Sequence, residues 1–272
     1  MGTNRAFSVI TTPHPLTTPP ARRHSITGKD AGETYIKLAE VNLKLESKHD
    51  AASAYVEAAK AYQKCDQKKS VQCLQKAISL YTDMGRLGMA ARQLREVAEI
   101  LEKEDGPTSR EESLLFYEQA ADLFAADNST AEANKCLLKV AQFSAESENY
   151  PRAIDIYEQV GRAAADNNLL RFSAKSHFLH ALLCSLVWAG PEPTRTRMER
   201  YKDIDVNFDG SRECGLVGGL CAATEEADPE AFTEAVAEFD ALTRLDAFKT
   251  AILLRAKRKV TEAPADEEED LT

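Results

Sequence analysis

The feature that most restricts the fold of this chain is a pair of adjacent amphipathic segments. Residues 133–160 read ANKCLLKVAQFSAESENYPRAIDIYEQV. Apolar residues at Ala133, Leu137 and Val140 have the spacing of one helix face, and a second such face follows Pro151. Because proline has no backbone N–H, it fits the first turn of a helix. The stretch therefore predicts two helices joined by a short turn, which is a helical hairpin.

Related segments recur along the chain. Aligning Tyr55, Leu74, Tyr117 and Tyr157 gives separations of 19, 43 and 40 residues. One helix with its turn thus occupies about 20 residues and a hairpin about 40, a repeat length typical of solenoids. Since each hairpin of a solenoid packs only against its neighbours, the length of 272 residues does not require several domains. The sequence predicts an all-α solenoid of helical hairpins.

Glycine, proline and polar residues indicate where the helices end. Gly85 follows YTDM as a helix-ending glycine, Asn128-Ser129 and Asp209 can serve as caps, and prolines stand at several junctions. The cations of RAKRKV, at 255–260, lie in the last turns of the final predicted helix, where positive charge interacts favourably with the dipole of that helix. The predicted helices span about 30–46, 48–64, 67–84, 87–103, 109–126, 129–146, 150–164, 168–189, 193–203, 210–226, 229–243 and 245–261.

Both ends of the chain differ from the repeat. Residues 1–28 contain three arginines, four prolines and no acid among many serines and threonines. This composition is typical of disorder. It also resembles that of a transit segment, but the prolines would interrupt the amphipathic helix that such a segment forms. At the other end, Asp266–Asp270 are five consecutive acids before Leu271, either a solvated tail or a docking peptide with a leucine anchor. The predicted organisation is an arm at 1–28, a solenoid at 29–245, a helix at 246–261 that completes a terminal bundle, and a tail at 262–272.

Composition limits the classes of function. The net charge of −10 argues against nucleic acid as a general partner, although local faces matter more than the sum. The chain has no apolar run near the roughly 18 residues that a membrane span needs. Its six cysteines show no CxxC spacing and no secretory signal precedes them. These features predict a soluble protein of the reducing cytoplasm.

Signals for catalysis are weak. His177 and His180 lie three residues apart on a predicted helix, but a zinc site needs at least three protein ligands and no further one has a usable spacing. Gly215, Gly218 and Gly219 form GLVGG inside a predicted helix, which favours close helix packing over a phosphate-binding loop. We therefore expect no enzyme, no metal and no cofactor, with a metal-dependent enzyme using the two histidines as the least favoured hypothesis.

Basic residues recur at the repeat period. Arg92, Lys135, Lys175 and Arg212 are separated by 43, 40 and 37 residues, and Lys139 and Arg171 lie four residues from members of this series. Because alternate helices of a hairpin solenoid line one surface, these side chains should form a basic stripe on an acidic protein. They are either solvated cations without a role or a surface for an elongated acidic partner, for which a helical bundle has the right shape.

Several phrases occur in an order that one protein family shares. They are SKHDAA at 47–52, YTDMGR at 81–86, ANKCLLKVA at 133–141, AIDIYEQVG at 153–161, SAK at 173–175, DGSREC at 209–214, RLD at 244–246 and EEEDLT at the end. Together they resemble the soluble NSF attachment proteins (SNAPs) of the α/β type, over about residues 30–272. The resemblance implies a TPR-like, right-handed solenoid with a C-terminal helical bundle.

The resemblance also implies an adaptor in vesicle fusion and ER–Golgi transport. Such proteins bind assembled SNARE four-helix bundles, several copies to a bundle, and recruit the hexameric AAA+ ATPase NSF while remaining peripheral to the membrane. The family's SNARE-contacting positions match Arg86, Arg92, Lys135, Lys139, Arg171, Lys175 and Arg212. Its ATPase-contacting positions match Glu225, Glu226, Glu267, Glu268, Glu269, Asp270 and Leu271.

The chain also departs from the family pattern. Gln63 stands where the family usually has a lysine, and Ala189 and Ala222 stand where it often has acids. The family begins with an additional hairpin whose loop contacts the membrane, and nothing in residues 1–28 matches it. The resemblance therefore predicts weak or lost direct membrane contact. A generic TPR-like scaffold that captures an extended peptide from an unrelated partner is the alternative function.

Overall fold

The computed structural model describes residues 28–104 and 106–262, and these residues form twelve α-helices and no strand. In chain order they are α1 (Gly28–Lys44), α2 (Lys48–Tyr62), α3 (Gln67–Asp83), α4 (Leu87–Glu102), α5 (Pro107–Ala126), α6 (Thr130–Glu146), α7 (Tyr150–Ala165), α8 (Arg171–Ala189), α9 (Pro191–Ile204), α10 (Arg212–Glu225), α11 (Pro229–Leu242) and α12 (Ala247–Glu262). Each coincides with one predicted helix, so the all-α prediction is confirmed.

The helices pack in the order of the chain. From α1 to α8, each helix packs mainly against its immediate neighbours in the sequence, which is the arrangement of a hairpin solenoid. Beyond that point, α8 packs against α9, α10 and α12 as well as α7. The C-terminal helices therefore gather around α8 instead of extending the solenoid.

The hairpin turns share one backbone geometry. Gly85 has φ +68°, and its counterparts Asn128 and Glu148 have φ +57° and +63°. In each case the following N–H reaches the carbonyl five residues back, as from Arg86 to Tyr81 at 2.8 Å. This is the Schellman arrangement, which satisfies the last carbonyls of a helix and turns the chain sharply. The predicted helix endings at Gly85 and Asn128 are confirmed.

Two local predictions were wrong. Asp209 does not cap α10; Ser211 does, because its hydroxyl accepts the N–H of Cys214 at 3.1 Å. The close packing predicted for GLVGG holds only for Gly219, where an added Cβ would lie 3.3 Å from that of Ala235. At Gly215 and Gly218 an added Cβ would meet no atom within 4 Å.

Candidate functional site

The seven basic residues matched to the family lie on even-numbered helices or directly before one. They are Arg86 and Arg92 at α4, Lys135 and Lys139 on α6, Arg171 and Lys175 on α8, and Arg212 at the start of α10. We call these seven residues the basic row. Five are exposed, whereas Lys139 and Lys175 are half-buried. The cations are therefore accessible along four helices.

Ion pairs show that alternate helices are neighbours. Lys139 on α6 lies 2.7 Å from Glu102 at the end of α4, and Arg95 on α4 pairs with Glu132 on α6. Lys175 on α8 lies 4.0 Å from Glu213 on α10. A cleft of about 390 Å³ connects α6 and α8, lined by Leu138 and Gln142 on α6 and by His177 and His180 on α8. The helices α4, α6, α8 and α10 thus follow one another in one layer.

Odd-numbered helices are joined in the same way. Arg197 on α9 lies 2.9 Å from Glu158 on α7, and Arg152 on α7 pairs with Glu118 on α5. The two sets of helices therefore form two layers. Whether the basic side chains of one layer share a single surface stays a prediction.

In the first half of the basic row, carboxylates bind the two lysines, Lys135 and Lys139. Glu102 accepts hydrogen bonds from Lys139 and from the Tyr117 hydroxyl, both at 2.7 Å. Burial raises the pKa of Glu102, but these two hydrogen bonds more than offset it, so the pKa lies below its ordinary value. Hydrogen bonds from Lys135 and Arg95 likewise lower the pKa of Glu132. These carboxylates are ionised at neutral pH and neutralise the cations beside them.

Arg95 is a basic residue that the sequence analysis missed. It lies three residues after Arg92, on the same side of α4, and is half-buried. Its guanidinium carbon lies 5.7 Å from the centre of the Phe124 ring. The i, i+3 spacing from Arg92 was the available signal, because residues three apart are neighbours on a helix surface.

The second half of the basic row surrounds an exposed aromatic ring. Two adjoining clefts of about 360 and 420 Å³ share Phe172 and Lys175 as lining residues. Arg171 borders the first cleft and Arg212 the second. The Lys175 ammonium lies 4.5 Å from the centre of the Phe172 ring, and that residue is 83% exposed. Three of the predicted cations are therefore brought together around one apolar side chain.

The turn before α8 carries further exposed apolar side chains. Leu169 is 92% exposed and Leu170 is 43% exposed. The sequence analysis placed both inside a predicted helix beginning at 168, whereas α8 begins at Arg171. Two leucines directly after the polar DNN stretch were the available signal. With Phe172 they form an apolar ridge, defined as these three residues, beside the cations of α8 and α10.

The predicted acidic residues lie at the other end of α10. Glu225 and Glu226 are exposed, and Glu225 accepts a hydrogen bond from Arg195 at 2.7 Å. Arg212 begins the same helix, so at 1.5 Å per residue the two ends are about 20 Å apart. The tail positions Glu267, Glu268, Glu269, Asp270 and Leu271 lie outside the described residues.

Of the two histidines of the metal-enzyme hypothesis, His180 is packed among aromatic rings. The His180 ring stacks on that of Tyr157 at 5.1 Å and lies 5.4 Å from that of Phe248. Burial lowers the pKa of His177 and lowers that of His180 to about 4. Within residues 28–104 and 106–262, no group of three His, Cys, Asp or Glu side chains could hold a metal ion. The neutral His180 ring therefore contributes to packing between α7, α8 and α12.

Comparisons with known proteins place this geometry in context. A family model described as "Soluble NSF attachment protein, SNAP" matches residues 23–261. The alpha-soluble NSF attachment protein of Vitis vinifera is 42% identical over 242 residues, covering 89% of this chain and 82% of that protein. The beta-soluble NSF attachment protein of Bos taurus is 42% identical, covering 85% and 76%. The probable vesicular-fusion protein sec17 homolog of Schizosaccharomyces pombe is 38% identical, covering 90% and 83%.

Two further findings complete the comparison. A solved structure of pilF from Pseudomonas aeruginosa superposes with a TM-score of 0.40 at 16% identity, covering 84% of this chain and 98% of that one. So loose a superposition carries no argument. In the part of the chain that the structure describes, no helix combines the length and the apolar character needed to cross a bilayer.

Proposed function

This chain belongs to the soluble NSF attachment protein family, and on that basis we propose that it is an adaptor of the α/β type rather than an enzyme. Its partners are an assembled SNARE four-helix bundle and the ATPase NSF. By recruiting the ATPase to the bundle, it promotes SNARE disassembly in vesicle fusion and protein transport. Several copies surround one bundle, and the adaptor reaches the membrane from the cytoplasm through the SNAREs.

The observation that carries this proposal is the basic row on an acidic chain. Cations from four helices of one layer are accessible although the net charge is −10. Exposed ion pairs such as that of Lys135 with Glu132, at 2.6 Å, contribute only about 0–1 kcal/mol. A partner's carboxylates can therefore replace the internal ones at little cost. An elongated acidic bundle is complementary to cations spread over several helices.

The apolar ridge supports the same proposal. Charged contacts steer the approach and set the register of two proteins, whereas buried apolar anchors dominate the affinity. Leu169 and Phe172 are more than four-fifths exposed and lie next to Arg171 and Lys175. We place them as anchors that insert between the helices of the bundle, with the cations on either side.

The acidic residues complete the adaptor. Glu225, Glu226 and the tail positions Glu267, Glu268, Glu269, Asp270 and Leu271 face the ATPase in this proposal. Carboxylates attract a basic surface over a distance, and the leucine supplies an apolar contact. Separation of Glu225 from Arg212 along α10 keeps the two partners on different ends of the same helix.

The experiment that tests SNARE capture is a double charge reversal, Lys135→Glu with Lys175→Glu. Binding to immobilised SNARE bundle should weaken at least about ten-fold, equivalent to about 1.4 kcal/mol. The matched control is Lys37→Glu with Lys68→Glu, which changes the charge equally on exposed positions of α1 and α3. Capture by the unaltered chain should also fall as salt screens the contact. Equal binding by both double variants would refute the proposed surface.

A second experiment addresses the tail. Deleting Leu271 and Thr272 should leave SNARE capture intact and reduce stimulation of ATP turnover by NSF. Normal stimulation by the truncated chain would show that the tail has no role in recruitment.

Weak direct membrane contact remains a prediction. It is tested by flotation with liposomes that lack SNAREs, from which the chain should be largely absent. Strong flotation would contradict it.

A further inference from the structure

Two cations tie α12 to the ends of two other helices. Arg255 donates to the carbonyl oxygens of Ala145 and Glu146, at 3.0 and 3.1 Å, in the last turn of α6. Lys259, one turn further along α12, donates to the carbonyl oxygen of Val187 at 2.6 Å, near the end of α8. We call these two side chains the α12 clamp.

Helix ends explain why cations occupy these positions. The last four carbonyls of an α-helix have no partner within the helix, and the dipole makes that end negative. A guanidinium with several N–H groups can satisfy more than one carbonyl, and Arg255 also donates to the Tyr150 hydroxyl at 3.1 Å. Each contact joins residues at least 72 positions apart. The clamp is therefore a tertiary device and not a property of α12 alone.

Apolar contacts seat the same helix. Ile252, Leu253, Ala256 and Val260 are buried in the core that surrounds α8. Near the start of α12, the Phe248 ring lies 6.2 Å from that of Tyr157. Apolar packing holds α12 against its neighbours, but apolar attraction has no preferred direction. Hydrogen bonds do have a preferred geometry, so the two cations define the rotation of α12 and its position along α6 and α8.

The helix provides its own comparison. Arg258 carries the same charge as Arg255, is exposed, and makes no hydrogen bond or ion pair to the described part of the chain. A change at Arg258 therefore alters the net charge of α12 without touching the clamp.

We propose that Arg255 and Lys259 are positioning residues that fix where the acid-plus-leucine tail leaves the protein. The inference rests on the proposed function, because it concerns delivery of that tail to the ATPase. The helices that the clamp reaches, α6 and α8, carry four members of the basic row: Lys135, Lys139, Arg171 and Lys175. The clamp thus holds the exit of the tail in a defined place relative to the captured bundle.

Chain length gives the size of the effect. Leu271 follows the end of α12 at Glu262 by nine residues; if α12 detached back to Thr243, 28 residues would separate it from the solenoid. Effective concentration falls roughly as the −3/2 power of the connecting length, which corresponds to about a five-fold loss for these lengths. Because buried apolar residues still hold α12 when the clamp is removed, full detachment is the upper bound, and we expect tail-dependent stimulation to fall by at most about five-fold.

The experiment compares Arg255→Met, Lys259→Met and their double variant with Arg258→Met, all in the full chain. Each is assayed for capture of assembled SNARE bundle, for stimulation of NSF turnover at limiting adaptor, and for amide hydrogen exchange of 247–262. The double clamp variant should exchange faster across α12, capture the bundle normally and stimulate less, by more than about two-fold and at most about five-fold. Arg258→Met should match the unaltered chain within two-fold. Arg255→Lys, which keeps a donor, should recover part of the stimulation.

Three results would overturn the proposal. The first is normal stimulation by a clamp variant whose α12 exchanges faster. The second is an equal loss in Arg258→Met, which would mean that net charge alone matters. The third is a parallel loss of SNARE capture, which would mean that the clamp serves the fold in general. If the unaltered chain neither captures the bundle nor stimulates turnover, the proposed function fails. The role of the clamp is tested independently of that function, because slower or unchanged hydrogen exchange of α12 in the double variant would show that the clamp does not hold this helix.

Discussion

Gly161→Ala should destabilise the protein although the same change stabilises most helices. Gly161 lies inside α7, where alanine would ordinarily be favoured by about 0.5–1 kcal/mol. A Cβ at this position would lie 2.7 Å and 2.9 Å from two ring carbons of Phe178. Real Cβ atoms are not found so close to a neighbour, so either the ring or the helix must move.

The surroundings of Phe178 restrict that movement. The residue is 0% exposed, and its ring stacks on Tyr201 at 4.5 Å and meets Phe208 edge-on at 5.8 Å. Overpacking a well-filled core costs about 1–3 kcal/mol. Subtracting the gain in helix propensity from the middle of that range leaves a net loss of about 1 kcal/mol. At about 2–4 °C per kcal/mol for a chain of this size, Tm should fall by about 2–4 °C.

The assay is thermal unfolding followed by circular dichroism, with Gly218→Ala as the matched control. Gly218 also lies inside a helix, but a Cβ there would meet no atom within 4 Å. The control should therefore gain about 0.5–1 kcal/mol of stability from helix propensity alone. The two substitutions should shift Tm in opposite directions. A rise in both would refute the argument that the Phe178 contact decides the sign.

Three further predictions concern other parts of the molecule. Ala227 has φ +50°, a conformation costly for residues with a Cβ, so Ala227→Gly should raise Tm by a few degrees, whereas Ala222→Gly within α10 should lower it. The pKa of Glu102 is lowered in the folded state, so its contribution to stability is present above the ordinary value of 4.5 and is lost as pH falls below it. Glu102→Gln should therefore flatten the acid side of a curve of unfolding free energy against pH. An unchanged curve would contradict the Lys139 contact. Of the six cysteines Cys65 alone is exposed, and burial raises the pKa of the other five. Peptide mapping after brief maleimide treatment should find the label on Cys65. Rapid labelling of any other cysteine would contradict the packing.

Helix positions were predictable because their signals are local. The 3.6-residue spacing of apolar side chains, the helix-ending Gly85 and the prolines at helix starts act within a few residues of where they stand. Boundaries were less certain where two signals compete. Ser211 and Asp209 are both good capping residues, and the structure uses Ser211 because its hydroxyl reaches the N–H of Cys214.

The candidate site was only partly predictable. The recurrence of lysine and arginine at the repeat period identified members of the basic row, because equal sequence steps in a solenoid mean equivalent positions. The exposure of Leu169 could not be read in the same way. A leucine near a predicted helix start is ordinarily expected to pack inward, and only the late start of α8 leaves this one outside.

The sequence by itself determined an all-helical chain with a 40-residue repeat and a series of cations in register with it, since periodicity is a property of the chain. Tertiary structure decided which groups meet. The sequence predicts that Arg255 interacts with the dipole of its own helix. In the structure it donates to carbonyl oxygens of α6 more than 100 residues away. Such contacts depend on how the C-terminal helices fold back onto α8. That geometry arises from the packing of apolar surfaces. Because apolar attraction has no preferred direction, only the assembled core defines it.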